Sequence, residues 1–222
     1  MIITEKLYVK LGVIFLFFAL AGCSSKVAET RQYSGFMSDY SDLKPVETSS
    51  GHQVLRWVSP DFRLSNYKDI YFAPVVYYPP PAPNSRVSAA TLEQIRLYTE
   101  QRLRSAVASH KQLSSRPHEG GLMLKTAITA VSAENKDIQF YEFLPVTAVV
   151  AGTMTMTGKR SQNTFLFIEA VLTDVSTNKP VIKVVRKAYG SKVSNSESQI
   201  TQDDIKGAID VMVADVVDFP QK

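Results

Sequence analysis

Hydrophobic positions in the last two thirds of the chain follow strand and helix spacings in a definite order. Residues 69–78 are rich in β-branched and aromatic side chains, which favours a strand. Ser88 is a suitable N-cap for a helix that continues to Val107, since apolar residues recur there every three or four positions. Thr201 and Asp203 are suitable caps for a last helix. The apolar stripe of that helix consists of Ile205, Ile209, Met212, Val213 and Val216.

Four segments between these helices have the composition and alternation of β-strands, namely residues 121–131, 146–157, 164–174 and 181–189. The connections between them are short, and short connections join antiparallel neighbours. The sequence therefore predicts an α+β domain, in which a mainly antiparallel sheet of about five strands carries two helices on one face. The predicted order is β-α-β-β-β-β-α.

Residues 33–62 precede these elements and contain many aromatic side chains, without clear helical or strand spacing before Leu55. We interpret this stretch as an extended arm that lies across the core. Each aromatic ring buries a large apolar area, so the rings are expected to fix the arm in place. The rings are those of Tyr33, Phe36, Tyr40, Trp57 and Phe62.

The start of the chain has the layout of a secretory signal. Lys6 and Lys10 precede an apolar run of 10 residues at 11–20, and small residues follow it. A helix that spans a membrane needs about 20 apolar residues, so this run is too short for a permanent transmembrane anchor. We therefore predict a signal peptide over residues 1–22.

The apolar run ends in Leu20, Ala21, Gly22 and Cys23, which resembles the lipobox of bacterial lipoproteins. The resemblance implies a diacylglycerol thioether on the Cys23 sulfur, an acyl group on its amine after cleavage, and no other cofactor. Several acyl chains on one residue hold a protein at a lipid bilayer effectively permanently, because each buried CH₂ contributes ~0.8 kcal/mol. Residues 23–32 are then the lipidated cysteine and a flexible polar tether.

The residue after the lipidated cysteine affects sorting in the lipoproteins that this sequence resembles. There, Asp tends to retain the protein in the inner membrane, whereas Ser permits export to the outer membrane. Ser24 therefore implies a lipid anchor at the periplasmic face of the outer membrane. Residues 33–222 are expected to form a single periplasmic domain.

Three stretches in the first third of the chain have a distinctive composition, namely YSGFMSDYSDLKPV at 33–46, LRWVSPDF at 55–62 and YKDIYFAPV at 67–75. Together they resemble a bacterial lipoprotein family known as domain of unknown function 3313 (DUF3313). The resemblance implies a lipoprotein, and the family brings no known activity or catalytic residue to transfer to this chain.

Composition and charge narrow the class of protein. The chain has 222 residues, 45% of them hydrophobic and 21% charged, which suits one globular domain with a short appendage. The net charge is only +4 and the basic residues are scattered, so no nucleic-acid partner is expected. Cys23 is the only cysteine, which excludes an internal disulfide and a cysteine-based metal site.

Candidate catalytic and metal-binding side chains do not form a motif. The three histidines lack the spacing that places two ligands on one helix face, so no metal site is expected. Glu142, Glu169 and Asp174 lie on or near predicted strands, and such single carboxylates are expected to face solvent. We therefore expect no enzymatic activity.

Tyr77, Tyr78, Pro79, Pro80 and Pro81 form an aromatic and proline cluster with the character of a preformed extended segment. It is a candidate docking site for an envelope protein, and local packing of Tyr against Pro is the simpler interpretation. The sequence favours a membrane-anchored, non-enzymatic binding or interaction module of the cell envelope. Two alternatives stay open, an envelope hydrolase with an unrecognised site and an oligomeric component of an envelope assembly.

Replacing Cys23 with Ala tests the lipid anchor. We expect Cys23→Ala to abolish the incorporation of labelled fatty acid, because the thioether forms on the sulfur atom. The measurement is metabolic labelling of the expressed protein in growing cells. Equal labelling of the variant and the wild type would contradict the lipobox assignment.

Overall fold

The computed structural model describes residues 33–134 and 161–219, which form eight strands, two α-helices and one turn of 3-10 helix at Leu64–Asn66. The strands are β1 (Lys44–Glu47), β2 (Gln53–Val58), β3 (Ile70–Phe72), β4 (Val76–Tyr77), β5 (Leu113–Ser114), β6 (Leu122–Glu134), β7 (Gln162–Asp174) and β8 (Lys179–Val193). The helices are α1 (Ala89–His110) and α2 (Gln202–Val217).

The described strands form one sheet in the order β1-β2-β8-β7-β6-β3-β5, and β4 also pairs with β6. The long strands β6, β7 and β8 are antiparallel neighbours, so that Ile168 of β7 lies opposite Ile128 of β6 and Arg186 of β8. β3 and β4 run parallel to β6, which requires a crossover connection, and α1 lies in that connection.

The α+β class is confirmed, but the sheet differs from the predicted one. It is mixed rather than mainly antiparallel and has eight described strands rather than about five, in the order β-β-β-β-α-β-β-β-β-α. The predicted strand at 69–78 is split into β3 and β4, because Pro74 between them has no N–H to donate to a ladder. The predicted strand at 146–157 lies outside the described residues.

The predicted extended arm is partly sheet. Lys44–Glu47 and Gln53–Val58 form the hairpin β1–β2, and β2 pairs with the edge of β8. Without that hairpin, β8 would present a row of unpaired backbone groups, which natural sheets avoid by covering the edge. In its second half, the predicted extended arm over residues 33–62 is therefore a β-hairpin of the sheet.

Both helices begin at side-chain caps. Ser88 is the N-cap of α1, as predicted, and its hydroxyl accepts a hydrogen bond of 3.0 Å from the Thr91 N–H. Thr201 is the N-cap of α2, as predicted, whereas Asp203, the other predicted cap, lies in the first turn of the helix. The third residue of the capping box is Asp204. The Asp204 carboxylate accepts a hydrogen bond of 2.8 Å from the Thr201 N–H.

The two helices cover the same face of the sheet and run parallel to each other. Gln202 at the start of α2 contacts Gln94 near the start of α1, and His110 at the end of α1 contacts Val216 near the end of α2. Their apolar stripes join the sheet in the main hydrophobic core. Its most deeply buried side chains are Phe72, Val75, Val87, Ile95, Leu122, Ile128, Leu166, Ile205 and Ile209.

Residues 33–43, which we call the N-terminal segment, cover the opposite face of the sheet. Met37 is buried there in one cluster with Phe165 of β7. The rings of Tyr33 and Tyr40 stack with their centroids 4.3 Å apart and pack against the same cluster. The first half of the predicted arm is thus confirmed, with aromatic side chains that pack it on the sheet.

The start of α2 approaches β8 closely at Gly190. A Cβ atom at this position would overlap the carbonyl oxygen of Asp204 and would lie 2.6 Å from Thr164 Oγ1. Thr164 Oγ1 itself lies within hydrogen-bond distance of the Asp204 carbonyl oxygen, at 3.0 Å. The first turn of α2 therefore rests directly on the backbone of β8.

Gly190→Ala and Gly207→Ala are the same substitution with opposite expected effects. At Gly190 the methyl group overlaps backbone, so we expect the free energy of unfolding to fall by ~2 kcal/mol or more. Gly207 lies in α2 with no packing neighbour within 4 Å of an added Cβ, and we expect a gain of about 0.5–1 kcal/mol. Urea unfolding of both variants measures the difference, and equal stabilities would contradict the close approach of α2 to β8.

Candidate ligand cavity

A partly open cavity of about 410 Å³ lies between the sheet and the C-terminal halves of α1 and α2. Strands β2, β6, β7 and β8 form its floor, and residues 59–60 and 62–64, which follow β2, border it. Leu103 and Val107 of α1 face it from the helix side, together with Met212 and Val216 of α2. The cavity is therefore built from the same layers as the main core.

Side-chain alternation along the central strands gives the cavity its apolar floor. Ile182 and Val184 of β8 border the cavity, whereas Lys183 and Val185 contact the N-terminal side of the sheet. Ala170 of β7 borders the cavity in the same way. Ile182, Val184 and Ala170 are only half-buried although their strands are central, because they face the cavity rather than a helix.

An ion pair between β8 and α2 forms a polar end of the cavity. Arg186 Nη2 lies 2.7 Å from Asp215 Oδ2, and these side chains are 7% and 9% exposed. The contact is ionic and lacks the alignment of a hydrogen bond. Arg186 Nη1 donates a hydrogen bond of 2.8 Å to the Gln53 carbonyl oxygen. The buried Arg186 Nε has no hydrogen-bond partner in the described part of the chain.

The protonation of Arg186 follows from two opposed effects. Burial lowers the pKa of its guanidinium group, because desolvation disfavours a charge. The Asp215 carboxylate raises that pKa, because it stabilises the charged form. An arginine begins from a pKa far above neutral, so Arg186 stays positively charged at neutral pH.

The loop between β1 and β2 reaches the same carboxylate. The Ser50 hydroxyl donates a hydrogen bond to Asp215 Oδ1, and its oxygen lies 2.8 Å from His52 Nδ1. A hydroxyl has one proton, so the Ser50 oxygen acts as an acceptor toward His52. Asp215 thus connects the end of α2 to β8 and to this loop.

Two more guanidinium groups border the cavity. Arg56 of β2 lies over the ring of Phe219 with its Cζ 5.0 Å from the ring centroid, and it donates no hydrogen bond within the described ranges. Burial lowers the pKa of Arg56, and Asp215 partly opposes this effect. Arg63 is exposed and donates to two carbonyl groups of its own loop.

A separate polar site on the opposite face of the sheet was missed by the sequence analysis. Glu169 of β7 is fully buried, which corrects the expectation that it faces solvent. Its carboxylate accepts hydrogen bonds from the Ser34 N–H at 3.0 Å and from the Tyr40 hydroxyl at 2.6 Å. The Tyr40 oxygen accepts from the N–H groups of Gly35 and Met37, each at 3.0 Å. The N-terminal segment supplies these donors, which is why the carboxylate can be buried.

The predicted docking residues 77–81 have different environments. Tyr77 is half-buried, and its hydroxyl donates a hydrogen bond of 2.8 Å to the Leu92 carbonyl oxygen of α1. Burial raises the pKa of the Tyr77 phenol well above its usual value. Tyr78 is 40% exposed, and the peptide bond between Tyr78 and Pro79 is cis. Tyr77 therefore packs internally, and docking through Tyr78 stays a prediction.

The histidines lie in separate places. His52 is in the β1–β2 loop, and His110 borders the cavity with Nε2 2.6 Å from the Val216 carbonyl oxygen. His118 Nε2 lies 2.8 Å from Asp69 Oδ2. Within residues 33–134 and 161–219, no three His, Cys, Asp or Glu side chains are grouped so that they could hold a metal ion.

The predicted lipidation and sorting residues lie outside the described residues. These are Leu20, Ala21, Gly22, Cys23 and Ser24. In the part of the chain that the structure describes, no helix is long and apolar enough to span a membrane.

Residues 32–216 match the model of a protein family described as "Protein of unknown function (DUF3313)", and the chain belongs to this family. It is 40% identical over 212 residues to the "Uncharacterized lipoprotein YdcL" of Escherichia coli K12, with 96% of each chain covered. The counterpart in Escherichia coli O157:H7 has the same identity and coverage. The family resemblance seen in the sequence is confirmed, and the chain is a lipoprotein of the DUF3313 family.

The fold also has a distant similarity to solved structures of PelC dodecamers from Paraburkholderia phytofirmans. Two of these structures share 10% and 13% sequence identity with this chain, with TM-scores of 0.35 and 0.39. The matches cover 75% and 76% of this chain and 98% of each PelC chain. Similarity at this level indicates nothing about the activity or assembly of this chain.

Tyr40→Phe tests the contacts that hold the N-terminal segment. We expect it to lower the free energy of unfolding by about 2 kcal/mol, because a hydrogen bond to a charged group contributes roughly 1.5–3 kcal/mol. The matched control is Tyr71→Phe on β3, where the half-buried tyrosine makes no hydrogen bond through its hydroxyl within the described residues. Urea unfolding at neutral pH should place the control within about 0.5 kcal/mol of the wild type. Equal effects of both substitutions would contradict the role of Tyr40.

The stability difference between the wild type and Tyr40→Phe is expected to depend on pH. Burial, followed by the hydrogen bond to Glu169, raises the pKa of Tyr40 to about 12 in the folded protein. An unfolded tyrosine titrates near pH ~10, so the stabilisation from Tyr40 is complete below about pH 10 and is lost as the pH rises toward about 12. The stability difference between the wild type and Tyr40→Phe should therefore shrink above about pH 10. A difference that grows there would contradict the raised pKa.

Proposed function

We propose that the domain is a non-catalytic binding module of the bacterial cell envelope, which takes a small and largely apolar ligand into the cavity between the sheet and the helices. The observation that carries the proposal is the cavity itself, about 410 Å³ with an apolar floor and polar groups at one end. Sites for small molecules typically have volumes of roughly 300–1,000 Å³, with mostly apolar walls and a few convergent polar groups.

The packing around the cavity supports a ligand. Ile168 and Met212, at its border, are 6% and 4% exposed, whereas the neighbouring Ala170 and Val184 stay half-buried. Protein interiors normally pack with few voids, because apolar atoms without neighbours lose dispersion contacts. An apolar ligand on Ala170 and Val184 would restore those contacts and remove their surface from water.

The polar groups near the cavity support binding rather than hydrolysis. Ser50, His52 and Asp215 are in contact, but Ser50 lies between the other two and donates its proton to the carboxylate. An activated serine nucleophile instead gives its proton to a histidine that a carboxylate orients. The three residues therefore act in this proposal as structural contacts between the β1–β2 loop and α2.

We place this module at the periplasmic face of the outer membrane. The proposed anchor is the acylated Cys23, and Ser24 is the proposed sorting residue. The tether at 24–32 reaches about 30 Å when fully extended, at ~3.3 Å per residue, so the domain stays close to the bilayer. A protein partner at Tyr78 and the prolines at 79–81 is a separate proposal, which the cavity does not require.

The binding test uses the mature chain from residue 23 with Cys23→Ser, exported through a cleavable signal, so that no lipid competes for an apolar probe. The probe is N-phenyl-1-naphthylamine, a neutral compound that fluoresces in apolar surroundings. We expect a saturable increase in fluorescence, and Ala170→Phe should weaken binding by about tenfold or more because the larger side chain fills the cavity.

Ala108→Phe is the matched control, since Ala108 is exposed on α1 and does not border the cavity. It should bind the probe as the wild type does, and thermal unfolding should show that both variants are folded. Lack of saturable binding to the wild type, or equal weakening by the two substitutions, would overturn the proposal.

A further inference from the structure

We propose that the ligand of this cavity is an acidic amphiphile, an apolar chain that ends in a carboxylate or phosphate group, with its anionic end between Arg56 and Arg186. This inference rests on the proposed function and specifies the class of ligand for the same cavity. Charge, hydrogen bonding and the shape of the cavity support it independently.

The charged side chains that border the cavity do not balance. Arg56, Arg63 and Arg186 carry three positive charges, and Asp215 carries one negative charge. His110 also borders the cavity, and a histidine side chain carries no negative charge. Excess positive charge next to an apolar space favours an anionic ligand, because a bound ligand excludes water and electrostatic attraction is stronger where water is excluded.

Arg186 retains hydrogen-bonding capacity after its contacts within the protein are made. Its side chain is 7% exposed, Nη1 donates to the Gln53 carbonyl oxygen, and Nη2 forms the ion pair with Asp215. Its buried Nε has no acceptor in the described part of the chain. A buried donor without an acceptor is unfavourable, and an anionic oxygen is the strongest acceptor to which a guanidinium group can donate.

Arg56 brings a second guanidinium group to the same end of the cavity. Arg56 lies opposite Val184 in the pairing of β2 with β8, and Arg186 is two residues further along β8 on the same face. Long side chains at such diagonal positions can reach a common point. In the described part of the chain, the Arg56 guanidinium contacts the Phe219 ring and is attracted electrostatically by Asp215. It makes no hydrogen bond there, so its N–H groups are available to a ligand.

The rest of the cavity suits a hydrocarbon chain. Its floor beyond the arginines is mainly apolar. It includes Val58, Leu124, Ile168, Leu172 and Ile182, with Thr126 of β6 as a polar member. The volume of about 410 Å³ lies near the lower end of the range for small-molecule sites, which favours one chain over the several chains of a membrane lipid.

The test measures displacement of N-phenyl-1-naphthylamine from the Cys23→Ser mature chain by three compounds with the same hydrocarbon chain. They are dodecanoate, dodecyl phosphate and dodecanol, each used below its micelle concentration at a mildly alkaline pH. We expect both acids to displace the probe at concentrations about tenfold lower than dodecanol. A comparison of the two acids distinguishes a carboxylate ligand from a phosphate ligand.

Arg56→Gln is the main variant, because Arg56 is half-buried and has no ion-pair partner that would be left uncompensated. The preference for the acids should fall to about threefold or less, while dodecanol binds as before.

Arg102→Gln is the matched control, since Arg102 pairs with Asp210 at 2.9 Å on the surface and does not border the cavity. It should keep the full preference for acids. If the neutral probe does not bind the wild type, the proposed function and this inference both fail. If the probe binds and all three compounds displace it equally, the cavity is a binding site and the acidic assignment is wrong. Loss of the acid preference in Arg102→Gln to the same extent as in Arg56→Gln would also overturn it.

Discussion

The ion pair between Arg186 and Asp215 is the contact on which the cavity depends. Removing one partner of a buried pair costs roughly 3–5 kcal/mol, because the remaining charge has no compensation. The pair holds the end of α2 at β8, and Ser50 holds the β1–β2 loop at the same carboxylate. With these elements fixed at one end, Ala170 and Val184 stay half-buried on the floor of the cavity. The contact that stabilises the helix layer therefore also supplies the polar end of the proposed ligand site.

The sheet separates the cavity from the segment that leads to the predicted anchor. Val184 borders the cavity, and the next residue, Val185, is buried on the other face with the N-terminal segment. On that face the buried Glu169 carboxylate holds the segment through Ser34 and Tyr40. The chain from a lipid anchor therefore joins the domain on one face, while the cavity lies on the other. A ligand can therefore occupy the cavity without displacing the segment that leads to the predicted anchor.

Local patterns in the sequence were sufficient to predict the α+β class and both helices. A cap such as Ser88 and an apolar stripe each depend on residues that lie within a few helical turns of one another. The mixed sheet could not be predicted in this way, since the parallel pairing of β3 and β4 with β6 joins distant residues. The ion pair and the Glu169 contacts could not be predicted for the same reason, because each joins residues that are far apart in the sequence. On the cavity face of β8, Arg186 follows the apolar Ile182 and Val184, which indicates burial, but Asp215 lies on another element. Glu169 receives its donors from the N-terminal segment, more than a hundred positions earlier in the chain.

The most direct test of the central claim is a methyl NMR titration of the Cys23→Ser mature chain with dodecanoate. We predict saturable shift changes and intermolecular contacts at the methyl groups of Ile182, Val184 and Met212, which border the cavity. Val185, adjacent in sequence and on the opposite face, should show no intermolecular contact. Contacts at Val185 without contacts at Val184, or the absence of any saturable change at the cavity methyl groups, would contradict the account.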